Sequence, residues 1–216
     1  MASTLYYIHD PMCSWCYAFN ASLQALEQAL SARIRLTKIV GGLAPDTMEP
    51  MPMPLAHKIQ QTWRRIEQTV PGVRFNFDFW LENIPIRSTY PACRAVLAAK
   101  KQGVDFENKM INAIQIAYYQ KAGNPSLPAT LQQCAEQIGL KVSEFSNALA
   151  GDEIENELQN EIGLARRLGV VSFPSLRLEH LGKYYPVAVD YLDHIPMLKA
   201  ISAILAGSET NRNRRL

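Results

Sequence analysis

The 216-residue sequence lacks any long apolar run. None of its hydrophobic stretches approaches the roughly 18 residues that a membrane-spanning helix requires. It also lacks an excess of one charge, since 22 Lys and Arg residues stand against 20 Asp and Glu, for a net charge of +2. We therefore expect neither a membrane nor a nucleic acid as a partner. The one basic run, NRNRRL, ends the chain, and residues 208–216 are predicted to be a flexible tail.

Cysteine and histidine are few and scattered. Four cysteines in a chain of this length do not make a disulfide scaffold. A tetrahedral zinc site needs four ligands, or three and a water. The sequence has neither a second Cys-x-x-Cys nor a His-x-x-x-His, so we expect no metal. The opening MASTLYYIHD also lacks the basic and apolar segments of a signal peptide, which predicts a cytoplasmic protein with reduced thiols.

What is present indicates a globular α/β protein, with 48% hydrophobic and 19% charged residues. Residues 4–9 are β-branched and aromatic and predict a strand, which Asp10-Pro11 ends. Apolar residues then recur at steps of three and four from Ser14 to Leu30, as in an amphipathic helix. The alternating RIRLTKIV predicts a second strand before the Gly41-Gly42 break.

Helical periodicity dominates from about residue 55 to residue 150, and little there favours strands. The predicted helices of this block span residues 55–69, 89–102, 105–121, 128–138 and 143–149. DEIENELQNEIGLARRLG predicts a further helix, acidic at its start and basic at its end, as the helix dipole favours. A hairpin is predicted from VVSFPSLRLE and KYYPVAV, with Leu181-Gly182 as the turn between them. A final helix is predicted from DYLDHIPMLKAISAILA. The predicted order is thus β-α-β, a helical block, then α-β-β-α.

Cys13 and Cys16 form a Cys-x-x-Cys at the predicted strand-to-helix turn. They are open to three interpretations: a redox pair, half of a metal site, or two small core residues. The redox interpretation is favoured because free N–H groups and the helix dipole at a helix N-terminus stabilise a thiolate. The second sulfur then lies one turn away, within reach of a mixed disulfide. Cys93 and Cys134, on apolar helix faces, are predicted to be packed core residues.

Pro174 provides a second observation, because it stands inside a run that otherwise predicts a strand. Proline costs a ladder hydrogen bond there unless it begins the strand, lies at an edge or serves a specific geometry. A cis Phe173-Pro174 bond would be such a geometry. A trans proline at the start of the strand is the alternative. Together with the cysteine pair, Pro174 favours a redox function.

Three features together resemble the DsbA-like branch of the thioredoxin superfamily. They are the strand–CSWC–helix sequence at the start, the helical block, and SFPS after that block. The resemblance implies a thioredoxin fold with an inserted all-helical domain. Its thioredoxin-like domain would comprise residues 1–42 and 151–207, and the insert residues 43–150. It implies a thiol–disulfide oxidoreductase acting on protein or peptide disulfides or small thiols. No bound cofactor is implied, and redox exchange would be with glutathione or another thiol.

The resemblance also implies roles at matching positions. Cys13 would be the exposed nucleophile and Cys16 the buried resolving thiol. Pro174 would be a cis proline facing them, while Phe173 would offer its backbone to an extended substrate peptide. Trp15 and Ser14 are the intervening pair; both would tune the redox potential, and we also assign Trp15 to substrate binding.

One departure from the pattern concerns proton transfer. Thioredoxins place a buried carboxylate six residues before the nucleophile, where this sequence has Tyr7. His9, Asp10 or water are the candidates to replace it, although His9 and Asp10 are equally compatible with ordinary strand ends. Two other functions stay open. One is a glutathione-dependent transferase or isomerase of small molecules, although its relatives use Ser at the nucleophile position. The other is a non-catalytic peptide-binding or chaperone module.

Overall fold

The computed structural model describes the backbone of residues 3–213 and the side chains of residues 3–207. In this part of the chain, four strands form one sheet in the order β2-β1-β3-β4. β1 pairs in parallel with β2, with Ser3 opposite Ile34, and antiparallel with β3. β3 and β4 form the predicted antiparallel hairpin. The strands are β1 Ser3–His9, β2 Ile34–Val40, β3 Ser175–His180 and β4 Lys183–Val187.

Helices occupy most of the remaining chain. They are α1 Ser14–Ala29, α2 Met53–Thr69, α3 Phe79–Glu82, α4 Tyr90–Lys101, α5 Asp105–Tyr119, α6 Pro128–Gln137, α7 Val142–Leu149, α8 Asp152–Arg167 and α9 Ile195–Asn213. β1 lies inside the sheet, and helices cover both of its faces. Leu5 packs with residues of α1 and α9, whereas Ile8 packs with residues of α8. This βαβ…αββα arrangement with helices on both faces confirms the predicted thioredoxin fold.

The largest hydrophobic cluster lies in the helical block and extends beyond it. Trp63, wholly buried, contacts the rings of Phe75, Phe79 and Tyr119 at centroid distances of 4.8 to 6.1 Å. The same cluster includes Met12, Ala18 and Val40 from the β1–α1–β2 unit, and Ile154, Leu158 and Ile162 from α8. One continuous core therefore joins the helical segment 43–150 to the flanking thioredoxin elements.

Several boundaries differ from the sequence-based expectations. β3 begins at Ser175 rather than Val170, because Pro174 has no N–H to donate and lies just before the strand. The short helix α3 was not predicted, since four residues carry no measurable periodicity.

At the C-terminus, α9 continues to Asn213, so residues 208–213 of the predicted flexible tail are helical. Gly207 costs a helix only about 1 kcal/mol and no proline follows it. The last three tail residues, 214–216, lie outside the described residues. Among the described residues, no helix has the length and apolar character needed to cross a membrane.

Candidate active site

Cys13 lies where the chain leaves the β1 end and enters α1. Its N–H donates to the Asp10 carbonyl at 3.0 Å, and its own carbonyl accepts from the Tyr17 N–H at 3.0 Å. With φ −83° and ψ 115°, Cys13 is the extended N-cap residue of α1. It therefore stands at the end of α1 where the first-turn N–H groups have no intrahelical partner, although its side chain makes no capping hydrogen bond. Both Cys13 and Cys16 are free thiols. Cys13, predicted to be exposed, is instead buried with 7% exposure, because the Phe173 segment packs against its sulfur; Cys16 has no exposure, as predicted.

The segment before β3 faces Cys13 from the other side. The Phe173–Pro174 peptide bond is cis. The Cys13 thiol donates to the Phe173 carbonyl, with 3.5 Å between Sγ and O. The Phe173 ring packs onto Gly41 so closely that a Cβ at position 41 would lie 2.1 Å from Phe173 Cε1. The end of β2 thus fixes the position of the segment that contacts Cys13.

Cys16 lies behind Cys13 in an apolar environment. Burial raises the pKa of the Cys16 thiol well above its ordinary value, and the hydrogen bond with Cys13 raises it further. Tyr7, at the position where thioredoxins carry a carboxylate, directs its hydroxyl to Cys16. Burial also raises the pKa of Tyr7 well above its usual range, so this phenol stays protonated. At the position where thioredoxins carry a carboxylate, this chain therefore has a hydrogen-bond donor and not a base.

Ser14 and Trp15 are held by the helical block and the C-terminal segment. The Ser14 hydroxyl accepts a 3.0 Å hydrogen bond from Nε1 of Trp63. The Trp15 ring lies 4.8 Å from the ring of Tyr191, and the Arg65 guanidinium lies 6.0 Å from its centroid. The two residues between the cysteines thus connect α1 to α2 and to the segment before α9.

A cavity of about 300 Å³ opens beside Cys13. It is lined by Met12, Cys13, Ser14, Trp15, Leu43, Ile59, Thr62, Arg87, Tyr118, Val171, Ser172 and Phe173. The structure therefore brings together four of the predicted site residues: Cys13, Ser14, Trp15 and Phe173. Cys16 and Pro174 lie behind these residues and do not line the cavity.

His9 is buried away from the cavity and stacks on Tyr7, with 4.9 Å between ring centroids. Among the described residues, neither of its ring nitrogens has a hydrogen-bond partner. Burial lowers the pKa of His9 to about 3, and Lys38 and Lys100 lower it further, so the ring is neutral at physiological pH. A role of His9 in proton transfer stays a prediction.

Asp10 is wholly buried, and its carboxylate connects three segments of the chain. It accepts from the Met12 N–H at 2.8 Å, the Leu43 N–H at 2.7 Å and the Thr89 hydroxyl at 2.6 Å. The Cys93 thiol donates to it at 3.5 Å. Burial raises the pKa of Asp10 although these hydrogen bonds oppose it. Its proton-transfer role also stays a prediction; its visible contacts join β1 to the segment after β2 and to α4.

Sequence reasoning missed Thr89, Trp63 and Arg87 as neighbours of the site. Thr89 and Trp63 lie far along the chain from Asp10 and Ser14, the residues they contact, and no local pattern indicates such contacts. Cys93, predicted as a core residue, is wholly buried as expected, yet it also contacts Asp10. Within residues 3–213, no group of three or more His, Cys, Asp or Glu side chains could hold a metal ion.

Comparison with known proteins agrees with this fold. A protein from Nitrosomonas europaea, provisionally assigned as a protein disulfide isomerase, superposes with a TM-score of 0.83 at 25% identity, over 96% of this chain and 99% of that one. The cytosolic disulfide reductase DsbM from Pseudomonas aeruginosa gives 0.73 at 24% identity, over 94% and 98%. It also has a structure with GSH, which gives 0.72 at 22% identity, over 94% and 99%.

One curated relative is the ClpXP adapter protein SpxH of Halalkalibacterium halodurans, which is 26% identical over 183 residues. The match covers 79% of this chain and 56% of that protein, so this chain spans little more than half the length of the relative. A family model described as the DSBA-like thioredoxin domain matches residues 5–179. The fold agrees with that match, and the chain belongs to the DsbA-like thioredoxin domain family.

Proposed function

We propose that this protein is a thiol–disulfide oxidoreductase in which Cys13 is the nucleophile and Cys16 the resolving thiol. The observation that carries the proposal is the position of the Cys13 sulfur. It lies at the helix N-terminus, in the wall of a cavity, and 3.5 Å from the Phe173 carbonyl. Cys16 lies directly behind it and has no exposure, so a substrate sulfur reaches Cys13 first.

The proposed reaction transfers two electrons from the dithiol to a disulfide. The Cys13 thiolate attacks one substrate sulfur, so that a protein–substrate S–S bond forms and the substrate S–S bond breaks. The first substrate thiolate leaves and takes up a proton. Cys16 then loses its proton and attacks the Cys13 sulfur, which releases the second substrate thiol and leaves a Cys13–Cys16 disulfide. The raised pKa of Cys16 keeps it protonated until that second step.

The net direction we propose is reduction or isomerisation in the cytoplasm. The likeness to a cytosolic disulfide reductase and to a provisionally assigned disulfide isomerase supports this direction. The structure of DsbM with GSH supports glutathione as a small-thiol partner beside protein or peptide disulfides. We propose that Phe173 and Pro174 contact the substrate backbone and that Ser14 and Trp15 tune the potential. The hydrogen bond from Trp63 to Ser14 supports a fixed geometry for that pair.

A binding module is the second candidate, favoured by the similarity to an adapter protein. The two functions differ in what they require of the sulfur. Catalysis requires the Cys13 thiolate, whereas binding in the cavity requires only its shape and polarity. A glutathione-dependent transferase or isomerase would not require a second cysteine at position 16.

The test is to equilibrate the protein against glutathione buffers of graded ratio and to follow the Cys13–Cys16 disulfide by tryptophan fluorescence and thiol alkylation. A disulfide that forms reversibly is expected, together with loss of disulfide reduction in Cys13→Ser. Cys16→Ser should accumulate a mixed disulfide, because its second step is missing. Cys134→Ser is the matched control, since this buried thiol lies in α6 outside the site. If no disulfide forms at any ratio, the oxidoreductase function is wrong and the binding module is favoured.

A further inference from the structure

Arg87 contributes its side chain to the wall of the cavity beside Cys13. It belongs to the segment between α3 and α4 and is half-buried. Arg94, in the next helix, pairs with Asp46 and Glu155 at 2.7 and 2.8 Å. Arg87, by contrast, has no hydrogen bond or ion pair with any of the described side chains. A half-buried cation without a counter-ion is electrostatically unsatisfied, and an anionic ligand would satisfy it.

The other residues of the cavity leave this charge uncompensated. No carboxylate side chain lines the cavity. The nearby Asp10 is wholly buried, and its oxygens already accept from Met12, Leu43 and Thr89. Arg65, against the Trp15 ring, adds a second cation near the same opening. The opening of the cavity thus has two cations beside it and no carboxylate in its lining, an arrangement that favours negatively charged ligands.

Resting on the proposed function, we propose that Arg87 selects small disulfides that carry a carboxylate, by binding that carboxylate while Cys13 attacks the sulfur. The guanidinium presents a planar pair of donors that matches a carboxylate. A volume of about 300 Å³ is at the lower end of small-molecule sites. Arg87 takes no part in electron transfer. The bond that forms joins Cys13 to one substrate sulfur, and the other substrate sulfur leaves as a thiolate.

The selectivity can be measured with three disulfides of different charge. The pre-reduced protein is mixed with anionic glutathione disulfide, neutral hydroxyethyl disulfide or cationic cystamine, and single-turnover oxidation is followed by thiol alkylation. Arg87→Gln is expected to slow the reaction with glutathione disulfide about tenfold, because one charged contact is lost. The rate with hydroxyethyl disulfide should not change. Arg87→Lys should keep part of the selectivity, and high salt should weaken it in the wild-type protein.

Arg64→Gln is the matched control, since Arg64 lies over the Phe77 ring, is exposed and does not line the cavity. It removes the same charge and should leave all three rates unchanged. Equal slowing of all three substrates by Arg87→Gln would show a structural role and overturn the proposal. Unchanged rates in Arg87→Gln would overturn it as well.

A binding measurement separates this proposal from the proposed function. Glutathione is titrated calorimetrically into Cys13→Ser with and without Arg87→Gln. If the wild-type protein reduces none of the disulfides, the oxidoreductase function fails. Binding that weakens about tenfold in the double variant would still support Arg87 as a carboxylate site. Equal binding by the two proteins would overturn it.

Discussion

Glu161 on α8 turns its carboxylate to the last residue of β2 and accepts a 2.7 Å hydrogen bond from the Val40 N–H. Burial raises its pKa from 4.5 to about 7, and the neighbouring Glu107 and Glu157 add to this, while Val40 and Lys100 oppose it. The folded protein therefore holds the Glu161 proton more tightly than the unfolded chain does. The contribution of Glu161 to the free energy of unfolding is fully present below pH 4.5 and is lost as the pH rises through about 7.

The magnitude follows from the two pKa values. The difference between 4.5 and about 7, at 1.36 kcal/mol for each pKa unit, amounts to about 3 kcal/mol. Glu161→Gln removes this penalty and keeps an oxygen for the Val40 N–H. We expect the variant to match the wild-type protein near pH 4 and to exceed its free energy of unfolding by about 3 kcal/mol at pH 8.

Urea unfolding at several pH values between 4 and 8, monitored by circular dichroism, measures the difference between the two proteins. Other titrating groups are common to both and cancel in that difference. Glu153→Gln is the control, because Glu153 is exposed and pairs with Lys101 at the surface. It should give no stabilisation that grows with pH. If the profiles of Glu161→Gln and the wild-type protein run parallel, the assignment of this penalty to Glu161 is wrong.

Two further substitutions test the supports of the site. Gly41→Ala would place a Cβ 2.1 Å from Phe173 and displace its ring, so we expect about 1–3 kcal/mol of destabilisation and at least about tenfold slower disulfide reduction. Gly163→Ala is the control, because its Cβ would meet nothing closer than 3.4 Å, and it should stabilise α8 by up to about 1 kcal/mol in the same urea assay. A protein that is stabilised by Gly41→Ala and destabilised by Gly163→Ala would contradict the packing argument. In Asp10→Asn an amide NH₂ or a neutral oxygen replaces the carboxylate oxygen that accepts from the Leu43 N–H and the Thr89 hydroxyl. The loss of two charged hydrogen bonds should lower the free energy of unfolding by about 3 kcal/mol. Asp46→Asn, at a surface ion pair, should cost less than about 1 kcal/mol, and an equally small loss in Asp10→Asn would show that the buried contacts contribute little.

Local pattern was sufficient for the thioredoxin elements. β1 is rich in β-branched and aromatic residues, and α1 follows the helical period over its whole length, so the position of Cys13 at the turn between them followed directly. The start of β3 was misplaced, because an apolar run alone does not indicate where Pro174 interrupts the ladder. The contacts of Asp10 with Thr89 and Cys93 could not be predicted, since they join residues 79 and 83 positions apart. Arg87 was missed because the sequence does not show which charged side chains surround a residue in the folded chain.

The continuous core has a consequence for how such a chain can be rearranged. The helical segment between β2 and α8 is not a module that can be excised and replaced by a short linker. Its removal would leave the apolar side chains of Met12, Ala18 and Val40 open to water, together with one face of α8. Any replacement segment would have to supply a complementary apolar surface at the same places. The apolar residues near Cys13 therefore restrict which sequences the helical segment 43–150 can have, as well as the sequence of their own loop.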